Sequence, residues 1–110
     1  MYKFGKRSSE RLKGVHPSLA GVVRDAMALQ LMDFAVLEGV RTKSRQRTLF
    51  ENGKSRTMKS KHLKQKDGYS HAVDLAPYPI DWQDTRPFYV MVGIIRAVAA
   101  SKGVKVRVGA

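Results

Sequence analysis

Residues 84–103, DTRPFYVMVGIIRAVAASKG, carry the strongest helical pattern in the chain. Asp84 or Thr85 can cap this helix, Pro87 falls in its first turn, and Gly103 ends it. Its apolar face needs a partner layer, and a chain of 110 residues supplies one domain with one modest core.

The rest of the chain supplies that layer in short pieces. HPSLAGVVRDAMALQL predicts an amphipathic helix with Pro17 in its first turn and Leu19, Val22, Val23, Ala26, Met27 and Leu29 on its apolar face. A strand follows from Phe34 to Leu37, closed by Gly39. TKSRQRTLFENG reads as another helix, with Thr42 or Ser44 as cap and Gly53 as terminator. Lys54 to Asp67 lacks periodicity and reads as a basic loop carrying Lys54, Arg56, Lys59, Lys61, Lys64 and Lys66. HAVDLAP is a short strand stopped by Pro77 and Pro79, and VKVRV alternates as a last strand. The order helix, strand, helix, loop, strand, helix, strand predicts an α+β fold with a small antiparallel or mixed sheet. The chain stops directly after that last strand, so the expectation is a single domain over residues 1–110 that is truncated at its C-terminus.

Composition narrows the chemistry. There is no cysteine, which excludes disulfides and thiolate metal sites; a metal must use His, Asp or Glu. No apolar run approaches the roughly 20 residues needed to cross a bilayer. The N-terminus, MYKFGKRSSERLKG, is basic but has no apolar core, so it is not a secretory signal. The formal charge of +12 predicts attraction to polyanions: nucleic acid, anionic lipid or acidic wall polymer.

One segment concentrates reactive side chains. SKHLKQKDGYSHAVDL holds two of the three histidines, His62 and His71, together with Asp74 between Val73 and Leu75. A carboxylate inside an apolar strand is costly without a metal, a cation or several donors. Zinc accepts both imidazole nitrogen and carboxylate oxygen, and a loop His and a strand Asp can converge on one ion.

SKHL followed by HAVDL resembles the zinc-site motif Ser-x-His-x-x-Gly-x-Ala-x-Asp of the D-alanyl-D-alanine carboxypeptidase and phage L-alanyl-D-glutamate endopeptidase family. SSERLKGVHPSL, DFAVLEGVRTKSRQ, GKSRTMKSKHL and VDLAPYPIDW match in order, so the resemblance covers nearly the whole chain and is closest to the short phage endolysins. It implies a hedgehog/D-Ala-D-Ala-peptidase-like fold with about three helices on the sheet, and a zinc metallopeptidase acting on peptidoglycan stem peptides. By the same resemblance His62 and Asp74 are zinc ligands, with His71 as the fallback for His62. Arg41 matches a substrate-facing arginine that steadies the charge developing at the scissile carbonyl. Gln46 helps position substrate or is a plain surface residue of its helix, and Ser60 shapes the ligand loop. One zinc ion per site, a monomer, synthesis in the bacterial host without a signal peptide and action on the wall after release are further implications.

The motif is altered in two places. The gap between His62 and Asp74 is lengthened by KQKDGYS, which puts Ser70 at the motif glycine. The family's third zinc ligand, a C-terminal histidine, and the acidic general base before it have no counterpart, because the chain ends at VRVGA; Gly109 and Ala110 match the start of the turn that leads to them. His16 matches an ordinary helix-start position, where its role is structural. Two ligands hold zinc weakly, so the chain is expected to be a truncated or a degenerate relative. The rival reading is a cationic module that grips wall polymer or nucleic acid through the basic loop. Against nucleic acid, Tyr69 is the loop's only aromatic neighbour and no helix-turn-helix or zinc-finger signature is present, so no specific nucleic-acid partner is expected.

Overall fold

The computed structural model describes residues 1–107. Its elements are α1 (Lys6–Leu12), α2 (Pro17–Ala28), β1 (Phe34–Glu38), α3 (Lys43–Glu51), β2 (Asp74–Pro77) and α4 (Arg86–Ser101). The α+β expectation holds, with four helices around a two-stranded antiparallel sheet. No helix is long and apolar enough to cross a membrane among the described residues.

The core forms where the apolar faces meet. Val22, Val23, Ala26 and Met27 of α2 and Met91, Ile95, Val98 and Ala99 of α4 belong to one buried cluster with Phe34 and Val36 of β1. Outside this cluster Lys102, just past α4, bonds Asp25 of α2 at 2.5 Å. The caps follow the sequence chemistry: Thr42 accepts the amide of Arg45 to start α3, and Gly53 takes φ +72 beyond its end. Thr85 holds the N-cap position of α4 without a side-chain bond, while Asp84 accepts the Arg86 amide.

Helix α1 was not expected. Only Ser8 and Leu12 of its seven residues are buried, so KRSSERL shows no apolar period. Its work lies at the sheet edge. Ser8 Oγ accepts the Val36 amide at 3.0 Å, and Arg11 donates to the Val36 carbonyl at 2.9 Å. Both backbone groups of Val36 that would otherwise face outward are thereby satisfied.

The expected last strand is corrected in part. Residues 104–107 form no ladder; the Val104 amide bonds back to Ala99 in the last turn of α4. The alternation was a burial signal instead, since Val104 and Val106 pack on the core and Lys105 and Arg107 are exposed. Val108, Gly109 and Ala110, with the end of that strand and the expected turn, lie outside the described residues.

The two strands pair evenly over three residues and then slip. Phe34 pairs with Pro77, Ala35 with Ala76 and Val36 with Leu75, but Glu38 pairs with Asp74. Leu37 is thus an extra residue, a β-bulge, and it sets two carboxylates opposite each other at one end of the sheet. Like charges directly opposite on a sheet repel unless a cation lies between them.

Candidate active site

Three segments converge on that end of the sheet. β1 delivers Glu38, β2 delivers Asp74, and the loop before β2 delivers His62. His62 Nε2 stands 3.3 Å from Asp74 Oδ1, and the side chain is nearly enclosed at 11% exposure. On the other side of the ring, Nδ1 lies 2.9 Å from the Gly39 carbonyl. A carbonyl only accepts, so Nδ1 carries a proton; in the charged ring Nε2 also carries one and donates to Asp74, and in the neutral ring the Nε2 lone pair is the one turned toward the carboxylates. An imidazole fixed in this way through its far nitrogen presents the other nitrogen in one orientation, as ligating histidines do.

Gly39 is itself constrained. A Cβ there would lie 1.9 Å from the Arg11 carbonyl oxygen, so only glycine lets the end of α1 press against the strand. The loop is likewise held despite its lack of periodicity. The Arg41 amide donates to the His62 carbonyl, Ser70 exchanges backbone bonds with Gly14 and His16, and the His71 amide bonds Lys61. Ser60 Oγ accepts the His62 amide at 3.2 Å, which closes the turn before the imidazole.

Arg41 supplies the cation between the carboxylates. Its Nε donates to Glu38 Oε1 at 2.5 Å, and Nη2 is 3.9 Å from Asp74 Oδ2. Gln46 Oε1 accepts from Arg41 Nη1 at 2.7 Å, and Ser60 Oγ lies 3.5 Å from the same nitrogen. Gln46 is not a surface residue. It has no exposed area, and its amide nitrogen is spent on Ser55 Oγ and the Thr57 carbonyl. It therefore meets the His62–Asp74 site only through Arg41 and fastens the start of the basic loop to α3.

The electrostatics agree with the geometry. The Asp74 hydrogen bond raises the His62 pKa above its ordinary 6.5, against the opposing effect of burial, and the Gly39 carbonyl adds to the rise. The same bond from His62 holds the Asp74 carboxyl below its ordinary range.

Glu38, His62 and Asp74 each place a ligand atom within 4.8 Å of the other two, and they are the group among the described residues that could hold a metal ion. His71 stands in a different place, with Nε2 2.6 Å from Asp67 Oδ2 and its ring edge-on to His16 at 5.3 Å. The Tyr69 amide and then His71 keep the Asp67 carboxyl low. His16 caps α2 by accepting the Ser18 amide on Nδ1.

Residues 1–110 match the family of phage L-alanyl-D-glutamate peptidases. The chain belongs to that family. It is similar to the L-alanyl-D-glutamate peptidase of Escherichia phage T5, with 35% identity over 115 residues that cover 99% of this chain and 80% of the relative. It is also similar to the crystal structure of Serratia marcescens L-Ala D-Glu endopeptidase ChiX, with a TM-score of 0.84 and 34% identity over 97% of this chain and 79% of that one.

Sequence reasoning overlooked Glu38. Its signal was an acidic residue closing a strand, three positions before Arg41, but only the bulge at Leu37 turns it toward Asp74.

Proposed function

We propose that this chain is a peptidoglycan endopeptidase that hydrolyses the bond between L-alanine and D-glutamate in stem peptides, with zinc held by His62 and Asp74 and Glu38 beside them. The observation that carries the reading is the convergence of His62 Nε2 and Asp74 Oδ1 next to the Glu38–Arg41 pair. One imidazole and two carboxylates with no thiolate suit zinc, and the fixed Nδ1 proton leaves the correct nitrogen free.

A bound zinc ion supplies Lewis acidity and a water ionisable near pH 7. The chain's own residues do the rest. Gly39 holds the His62 tautomer. Arg41 holds its guanidinium between Glu38 and Asp74, beside the place where negative charge would grow on the scissile carbonyl oxygen, and a preorganised cation acts most strongly on such developing charge. Gln46 keeps Arg41 in place, so no reorganisation is needed during reaction. The six cations of the basic loop favour encounter with an anionic envelope.

The test is incubation with purified peptidoglycan followed by labelling of new amino termini. New D-glutamate amino termini, dependent on zinc and lost in His62→Ala, are expected. Cleavage of the glycan strand or of a different stem bond by the folded protein would overturn the assignment.

A further inference from the structure

β2 begins at Asp74 in the candidate metal site and ends at Pro77, three residues on. At about 3.3 Å per residue, that end lies roughly 10 Å from the carboxylates. There it meets a groove of about 670 Å³, within the typical range for small-molecule sites. The groove is unlike the rest of the surface. In a chain of charge +12, no lysine or arginine lines it, whereas Asp33, Asp81 and Asp84 do.

Its apolar lining combines Leu31 and Met32 with flat ring side chains. Tyr78, Pro79 and Phe88 line it, and Tyr78 is 61% exposed. Trp82 stacks on Phe88 with ring centres 5.5 Å apart, yet it remains 67% exposed. One face of the indole is therefore supported from behind while much of the ring stays in water. Tyr78 and Trp82 are both largely exposed and gathered about one groove rather than scattered singly, and contiguous apolar surface of that kind is typical of interaction sites.

The chemistry selects the occupant. Aromatic faces carry negative partial charge and attract the C–H face of a pyranose ring. Carboxylates accept hydrogen bonds from sugar hydroxyls. A polyanion is repelled by three aspartates. A cation is less well served than the count suggests, because Asp84 is paired with Arg86 and Asp81 accepts the Gln83 amide. Asp33 is the groove carboxylate with no side-chain partner among the described residues.

We infer that the groove lined by Tyr78 and Phe88, with Trp82 stacked on Phe88 beside it, binds the neutral N-acetylated sugar backbone of peptidoglycan, about 10 Å along β2 from the site that cuts the stem. The inference rests on the proposed function. There the L-alanine is joined through a lactyl group to the sugar strand, so the sugar lies one short linker from the scissile bond, at roughly 3.3–3.6 Å per extended residue.

Trp82 is the chain's single tryptophan and reports binding directly. The protein is titrated with a β-1,4-linked N-acetylglucosamine tetramer while indole emission is followed. Saturable change is expected, and it is to weaken at least tenfold in Tyr78→Ala and in Asp33→Asn. Trp82→Phe keeps a flat ring, so its binding is read by calorimetry and is to stay within a few-fold of the parent, while Trp82→Ala loses it. In cleavage assays, Tyr78→Ala is to slow release from whole peptidoglycan but not from a sugar-free stem peptide. No binding of the tetramer, with whole-peptidoglycan cleavage equal in parent and Tyr78→Ala, overturns the groove and leaves the peptidase reading intact. Saturation by oligolysine and not by the tetramer overturns it in favour of a cationic partner. Tetramer binding without stem cleavage overturns the peptidase reading alone.

Discussion

At the scale of single residues, the proposed zinc site sets a proton against a metal ion at His62 Nε2. The raised His62 pKa means that zinc competes with a proton more strongly than at an ordinary histidine. Zinc affinity should therefore fall as pH drops through the shifted value, with up to about one proton released per ion bound below that value and none well above it. Calorimetry in buffers of different ionisation enthalpy reads that proton. Without metal the linkage has two limits. His62, with its pKa raised, contributes stability that is full below 6.5 and is lost as pH rises through the shifted value. Asp74, with its pKa lowered, contributes stability present above its ordinary 3.8 and lost as pH falls through the shifted value. Metal-free protein should melt highest between these limits, and His62→Ala should flatten the profile. Arg41→Ala should lower kcat by about 10²–10³ with a smaller change in KM, because the charge it meets exists only in the transition state. Gln46→Ala should also lower kcat, and should cost roughly 1–3 kcal/mol in denaturant unfolding, because buried partners lose their bonds. A Gln46→Ala variant with unchanged kcat would show that Arg41 is held adequately by Glu38 alone.

At the scale of elements, the decisive feature is the bulge at Leu37, with Gly39 just after it. Gly39→Ala places a methyl group against the Arg11 backbone, which cannot yield as a flexible side chain can. Unfolding stability should fall by about 1–3 kcal/mol, the usual cost of overpacking. The displaced carbonyl should also release Nδ1 of His62, so zinc affinity should drop although no ligand has changed. Helices α2, α3 and α4 were legible because each carries caps or an apolar stripe in sequence. Helix α1 was not, since its contribution is two hydrogen bonds to one residue of β1 rather than an apolar face. His62 stood out as an imidazole that burial obliges to find partners, whereas the Asp74 side chain is 54% exposed despite its apolar neighbours, so the cost of burying a carboxylate was not what singled it out correctly; its place opposite Glu38 is. Glu38 did not stand out, since an acidic residue at a strand end is usually solvated and only pairing register reveals its neighbour. For Gln46, helical spacing leaves open whether the side chain faces outward or is locked in place; its lack of exposed area and its bonds to Arg41, Ser55 and Thr57 remove the surface alternative.

At the scale of the molecule, charge is unevenly spread. Lys54, Arg56, Lys59, Lys61, Lys64 and Lys66 are all exposed on one loop, and the loop leads into His62. Encounter with an anionic wall should depend on this loop and should be screened by salt over about 10 Å at 0.1 M. Cleavage of whole walls should slow about tenfold or more between low and high salt, whereas cleavage of a short soluble stem should change much less. Replacing Lys54, Lys64 and Lys66 with glutamine should remove most of that salt dependence; an unchanged salt profile would assign the effect to other surfaces. The contact between α1 and Gly39 has a separate consequence, for genetics. A saturation library scored by lysis would find position 39 as intolerant as position 62. Its pattern would be indistinguishable from that of a reacting group until protein abundance was scored in parallel, because one glycine both admits the N-terminal helix and sets the imidazole proton.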